Sequence, residues 1–157
     1  MVFGRNPKVT LLRCVALVIT CLVTFRFVLL PIRVSGASML PTYKENGINF
    51  VNRLAYRFHP PRRGDVVAIR LAGEHVMNMK RILALPGETV AFHEGRAFIN
   101  GRLFSEPYVK LACTWEHPAE TVGPDEYFVV GDNRSMDWSD HTKGMATRER
   151  IVGKVLL

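Results

Sequence analysis

Ser38 stands in "GASMLPTY", a small-residue turn running from Gly36 to Tyr43 just beyond an apolar stretch. A serine hydroxyl is a weak nucleophile at neutral pH and does chemistry only when a neighbour takes its proton. A histidine backed by a carboxylate can do this, and so can a neutral lysine. Free lysine titrates near 10.4, so roughly a few side chains in ten thousand are neutral at pH 7. Burial among apolar groups lowers that value by several units, each worth about 1.4 kcal/mol. Lys80, in "NMKRILAL", has such an apolar address. Read as a strand, the segment sets Lys80 on one face with Ile82 and Ala84. Lys154 lies in the terminal strand without a distinctive neighbour. For the histidine route, Ser38, His141 and Asp132 could be drawn as a triad, and nothing in the spacing excludes it.

Composition narrows the classes. The 157 residues carry a formal charge of +7, and 48% are apolar, enough for one compact domain with a core and an accessory segment. The basic residues are spread out, in pairs such as Arg62-Arg63 and Lys80-Arg81, without the stripe or reading module of a nucleic-acid binder. No nucleic-acid partner is expected; a cationic surface near anionic lipid suits the pattern. Cys14, Cys21 and Cys113 form no disulfide framework, and His59, His75, His93, His117 and His141 lack ligand spacing. No metal and no cofactor are expected, and no pattern speaks to oligomeric state.

The site must be positioned by two kinds of element. "VTLLRCVALVITCLVTFRFVLLPIR", Val9 to Arg33, has the roughly 20 apolar residues that cross a bilayer, with Arg13 and Arg26 near the ends, where long stems snorkel. A cleavable signal peptide would look similar, and "VSGAS" has the small residues of a cleavage site. Retention as an anchor is expected because those same residues build the site. Arg5, Lys8 and Arg13 before the span, against Arg26 and Arg33 after it, lean toward an inside N-terminus and an outside domain. From Ile48 onward the pattern is strands and turns: "VVAIRL", "HVMNMKRILAL" ending at Pro86-Gly87, "TVAFHEGRAFINGRLF" with an Asn100-Gly101 hairpin signal, "EYFVVGD" and "RIVGKVLL". The expectation is a mainly β protein: residues 1–33 a tail and transmembrane helix, residues 34–157 an antiparallel β catalytic domain with hairpins. In "FVNRLAYRFHPPRR", Phe50, Leu54, Tyr56 and Phe58 interleave with arginines, either as ordinary packing or as a lip dipping into the bilayer interface.

Four boxes in order, "SGASMLPT", "NRLAYRFHPPRRGDVV", "MKRILALPGETV" with "FINGRLFSEPYV", and "YFVVGDNRS", resemble bacterial-type signal peptidase I (leader peptidase), over nearly everything after residue 34. The resemblance implies a serine–lysine endopeptidase on an all-β fold. Such an enzyme removes signal peptides from secretory preproteins after small residues (Ala-x-Ala), at the outer face of the cell (inner) membrane. By box position Ser38 corresponds to the nucleophile and Lys80 to the general base. Its partners would be secretory signal peptides and membrane lipid. Met39 and Met79 flank the dyad and are expected as substrate-pocket walls. The Ser38 backbone N–H is expected to serve the oxyanion. Alternatives are a specialised processing peptidase of the same family, such as one maturing pilins, or an inactive membrane-tethered peptide-binding module. The self-cleaving repressors also use Ser and Lys, but carry a DNA-binding domain where this chain has its apolar run.

Two positions depart from the family pattern. A second oxyanion donor found in some members two residues before the nucleophile is here Gly36, and Ser35 is not assigned. After Arg134, an ungapped count places Asp137 where a lysine-orienting serine would stand, whereas a short insertion places Ser139 there. An acid beside Lys80 would raise its pKa, which favours Ser139. Asp132 is expected to fix the loop, and Asp140 to pair with Arg81 and hold the strand carrying Lys80. Asn133-Arg134-Ser135 matches a glycosylation sequon, read here as a loop turn.

Overall fold

The computed structural model describes residues 6–71, 77–111, 113–141 and 144–156. Helix α1 (Pro7–Val23) opens with Asn6 accepting the Lys8 amide and with proline in its first turn, where its missing N–H goes unmissed. One wider turn, Thr24–Val28, carries the helix into strand β1 (Leu29–Arg33). The continuous helical stretch Pro7–Val28 has 22 residues, a mean hydropathy of 2.1 and no residue buried. Its length suits a bilayer core, and no protein surface covers it, which is consistent with a single-pass membrane anchor.

The remaining strands are β2 (Ile48–Asn52), β3 (Val66–Arg70), β4 (Met77–Ala84), β5 (Thr89–His93), β6 (Arg96–Ile99), β7 (Arg102–Leu103), β8 (His117–Thr121), β9 (Glu126–Val130), β10 (Met145–Thr147) and β11 (Ile151–Leu156). They form a seven-stranded sheet, β1-β2-β11-β3-β4-β9-β10, and a four-stranded sheet, β7-β6-β5-β8. All of these pairings are antiparallel. Residues 29–33, which the sequence reading assigned to the anchor, instead make the edge strand of the large sheet. Pro31 has no amide to give a helix or a central strand, and an edge tolerates it. Asn100-Gly101, with φ of 51° and 73°, joins β6 to β7 in the left-handed geometry such a hairpin needs.

The large sheet curls. Leu30, Ile32, Val34 and Met39 pack with Met77, Met79, Ala68 and Val155, so β1 and β4, with three strands between them in sheet order, face each other over one core cluster. A second cluster (Val67, Ile69, Ile82, Val129, Ala146, Ile151) fills the opposite face. A third (Leu83, Val90, Phe92, Trp115, Phe128, Val130) joins the two sheets. In that third region Arg134 is 1% exposed. Its guanidinium lies near the Phe92 and Trp115 rings, donates to the Gly131 carbonyl at 2.9 Å and grips the Glu106 carboxylate with two nitrogens. Removing one member of a buried ion pair strands the other charge, at about 3–5 kcal/mol. Urea denaturation of the detergent-solubilised Arg134→Ala chain is expected to show a loss of that size.

Candidate active site

The loop bearing Ser38 follows β1 directly and is tied down through its own carbonyls. The Asn133 amide donates to the Ser38 carbonyl at 3.0 Å, and the Asn133 side chain donates to the Ala37 carbonyl at 3.0 Å. Thr42 donates to the Asp132 carboxylate at 2.6 Å. Asp132, fully buried, also accepts from Arg81 through two nitrogens at 2.8 and 2.6 Å. The segment Gly131–Asn133 therefore clamps the Ser38 loop to β4. Asn133 is buried with its amide engaged, so the turn reading holds and the sequon has no exposed acceptor.

Glycine at 131 is required by close approach. A Cβ there would overlap the Ser38 carbonyl oxygen and come within 2.9 Å of His141 Cε1. Lys80 is on the same face. The ladder pairs Arg81 with Val130 and Ile82 with Val129, so one step further Lys80 lies opposite Gly131. Opposed residues of antiparallel strands point to the same side, with Cβ atoms about 4.5–5.5 Å apart. The Ser38 carbonyl and His141 thus meet at the space a side chain at 131 would occupy, with Lys80 on the neighbouring strand. Among the described residues, Ser38 Oγ and Lys80 Nζ are not hydrogen-bonded to each other; catalytic bonds are often long before substrate is bound.

Lys80 is 4% exposed. It lines a cavity of about 160 Å³ with Ile69, Leu71, Asn78, Val129 and Met145 among its neighbours. Burial alone brings its amine down to about 8, where about one in ten is neutral at pH 7. Alternation sends the adjacent Arg81 to the other face and to Asp132, so that carboxylate does not serve Lys80. A bulge between Ile82 and Ala84 breaks the shared face foreseen for Lys80, Ile82 and Ala84: Ile82 keeps it, and Ala84 joins the inter-sheet core.

Beside Ser38 opens a groove of about 550 Å³, lined by β1 residues Leu30–Arg33, by Val34, Ser35, Ser38 and Met39, and by Met77, Asn78 and Met79. Met39 and Met79 therefore both stand in its wall, and Asn78 borders this groove and the Lys80 cavity alike. Gly36 has φ of 95° with open space around it.

Two expectations are corrected. Ser139 and Asp140 sit in a short 3-10 turn, Trp138–Asp140, and are exposed. Arg81 pairs with Asp132, not Asp140. The turn buries its neighbours instead: Trp138 stacks among Phe92, Trp115, His117 and Phe128, and His141 is 3% exposed. Asp137 is also exposed. Lys154, read as lacking a distinctive neighbour, donates to Asp65 at 2.6 Å. Asp65 also accepts from the Tyr56 hydroxyl and the Arg62 amide; burial works against its ionisation, but these donors hold its carboxyl below the usual range. Of the suggested lip, Phe58 is 90% exposed while Tyr56 turns inward.

A protein-family model for signal peptidase, peptidase S26, matches residues 8–157. The chain belongs to this family. It is 33% identical over 132 residues to signal peptidase I of Leptolyngbya laminosa, covering 79% of this chain and 65% of the relative. It is 30% identical over 130 residues to a protein of Synechocystis sp. named probable signal peptidase I-2, covering 79% and 60%. With signal peptidase I S of Bacillus subtilis the identity is 36% over 149 residues, 87% of this chain and 79% of that one. The chain thus spans somewhat less than two thirds of the length of the first two of these relatives. A mainly antiparallel β fold behind one apolar helix is the family member described above.

Two stability measurements test this geometry. Gly131→Ala should cost about 2–3 kcal/mol, because backbone blocks the new methyl. Lys80→Met should do the opposite. The unfolded amine titrates near 10.5 and the folded one near 8, so below pH 8 the fold bears a constant penalty of about 3 kcal/mol. Lys80→Met, which keeps the apolar stem, should be more stable by up to that amount at pH 7 in urea melts. Its advantage should shrink above pH 8 and vanish near 10.5.

Proposed function

We propose that this protein is a membrane-bound serine endopeptidase that removes signal peptides from secreted preproteins, with Ser38 as nucleophile and Lys80 as general base. The observation that supports this most directly is a lysine buried without a carboxylate partner among the described residues, on the strand next to the segment that holds the Ser38 carbonyl. The neutral Lys80 amine takes the Ser38 hydroxyl proton as Oγ attacks the scissile carbonyl. The ammonium then gives that proton to the departing amine, leaving an acyl-enzyme. Water, deprotonated by the same amine, releases the acyl group and restores the serine. The Ser38 backbone N–H is the oxyanion donor this reading assigns.

The groove suits an extended substrate. Its one wall is the edge strand β1 and its other the start of β4, so a peptide can add as a strand while alternate side chains enter it. Walls of Met39 and Met79 leave room for small apolar residues and favour Ala-x-Ala sites. Because the helix runs straight into β1, a substrate that is itself a membrane-inserted helix would present its cleavage site at the height of the groove. On this reading the catalytic domain works on the extracytoplasmic side of the cell (inner) membrane. A specialised processing peptidase of the family would share the site and differ in substrate.

The test is cleavage of a preprotein with an Ala-x-Ala site by the full chain in detergent or lipid. Ser38→Ala and Lys80→Met should each lower kcat/KM by at least about a thousandfold, with the fold retained by circular dichroism. For the wild type, kcat/KM should rise with pH through about 8 and level off above, since the base works only once its proton is gone. A profile flat from pH 6 to 10, or an active Lys80→Met, would remove lysine from the mechanism.

A further inference from the structure

His141 is a buried titratable group that the mechanism above does not use, and it meets the backbone of Gly131 at the site. The Gly131 amide donates to its Nδ1 at 3.3 Å. A backbone N–H can only donate, so Nδ1 carries the lone pair and, in the neutral ring, Nε2 carries the proton. The ring is fixed edge-on against Trp115, with centroids 4.6 Å apart. Nε2 is buried and without a hydrogen-bond partner, a costly state for a donor unless something arrives to accept.

The direction of that donor follows from the sheet. His141 Cε1, bonded to both ring nitrogens, lies within 2.9 Å of where a Gly131 Cβ would be, and continuing the β4–β9 ladder one step past the Arg81–Val130 pair sets Lys80 opposite Gly131. The charged groups felt by the ring are Lys80 and Arg134. Arg134 is already committed to Glu106 and the Gly131 carbonyl, and as a guanidinium it cannot accept a hydrogen bond. A neutral amine can. Arg150 lines the Lys80 cavity as well and likewise offers no acceptor. Burial first, then Lys80 and Arg134, pull the imidazole down to about 4, with the Asn133 backbone opposing, so the ring stays neutral across the working range of a lysine base.

We propose that His141 is a positioning residue for Lys80: held as the Nε2–H tautomer by the Gly131 amide, it donates to the lone pair of the Lys80 amine once that amine is neutral and has swung to it. This parks the base beside Ser38 and disfavours its protonation. When substrate is seated, rotation about the terminal torsion of Lys80 turns the lone pair to the Ser38 hydroxyl. His141 would then fill the orienting place that Ser139 and Asp137, both exposed, do not. The inference rests on the serine–lysine reading above, yet it concerns a titration that can be measured without turnover.

The experiment is ¹³C NMR of ε-labelled lysine in the detergent-solubilised full chain, titrated from pH 6 to 11, with the Lys80 signal identified by its loss in Lys80→Met. In His141→Asn the side-chain oxygen can still accept from Gly131, but the Nε2–H is gone. The Lys80 midpoint should move up by about one pH unit. His141→Gln, which returns an N–H near the Nε2 position, should restore it toward wild type. In the cleavage assay kcat/KM of His141→Asn should fall about tenfold at pH 7 and match wild type within about twofold at pH 10. An unmoved Lys80 midpoint, or an equal loss at every pH, would overturn the proposal and leave His141 a packing residue. Imidazole ¹⁵N NMR of the wild type is decisive without any variant: a proton on Nδ1 refutes it, and one on Nε2 supports it. A shifted Lys80 midpoint in a chain that cleaves no Ala-x-Ala preprotein would sink the peptidase reading and spare this one.

Discussion

The arrangement depends on a missing side chain. At Gly131 two other segments come within van der Waals reach, the loop that carries Ser38 and the turn ending at His141, beside the β4–β9 ladder. Any Cβ would push the Ser38 carbonyl away. The hydrogen bonds from Asn133 to the carbonyls of Ala37 and Ser38 form only because that approach is open. Packed interiors do not deform smoothly, so the spacing between the proposed nucleophile and the proposed base is set by this contact.

Around that contact the fold sorts its charges by sheet face. Consecutive residues Lys80 and Arg81 leave β4 on opposite sides. Arg81 receives two bonds' worth of Asp132, a carbonyl from Gly64 and the Tyr108 ring. Arg134 receives Glu106. Lys154 receives Asp65. Lys80 is given a mostly apolar cavity, bordered also by Asn78 and Arg150, and no acid among the described residues, and its shift comes from desolvation alone. A cation deprived of both water and a counter-charge lowers its free energy by shedding its proton, which is the state a general base must hold.

The anchor is coupled to the groove in the same economical way. Backbone bonds run from helix to strand without a linker: the Arg53 amide donates to the Val28 carbonyl and its guanidinium to the Arg26 carbonyl, while Phe25 packs near Phe50. The strand that lines the groove therefore begins where the apolar helix ends, and bilayer depth and groove height are linked by covalent geometry.

Local sequence determined much of this protein. The length and apolarity of the first helix, the hairpin at Asn100-Gly101 and the main strands of the large sheet are all short-range patterns, and each could be read from neighbours in the chain. Tertiary structure decided the rest. Strand β1 was hidden because Leu29–Arg33 reads as the end of the apolar helix, and only pairing with β2 makes it an edge. Strand β8, "HPAET", has no apolar alternation to betray it, being exposed on the small sheet's margin. The partner of Arg81 and the outward turn of Ser139 and Asp140 depend on which way a 3-10 turn points when Trp138 enters an aromatic cluster. His141 could be noticed as a residue type, but the backbone amide that meets its Nδ1 and the burial of its Nε2 come from the packing around it. Periodicity speaks for a single element; where two elements meet is set by packing, and there the chemistry of this site is decided.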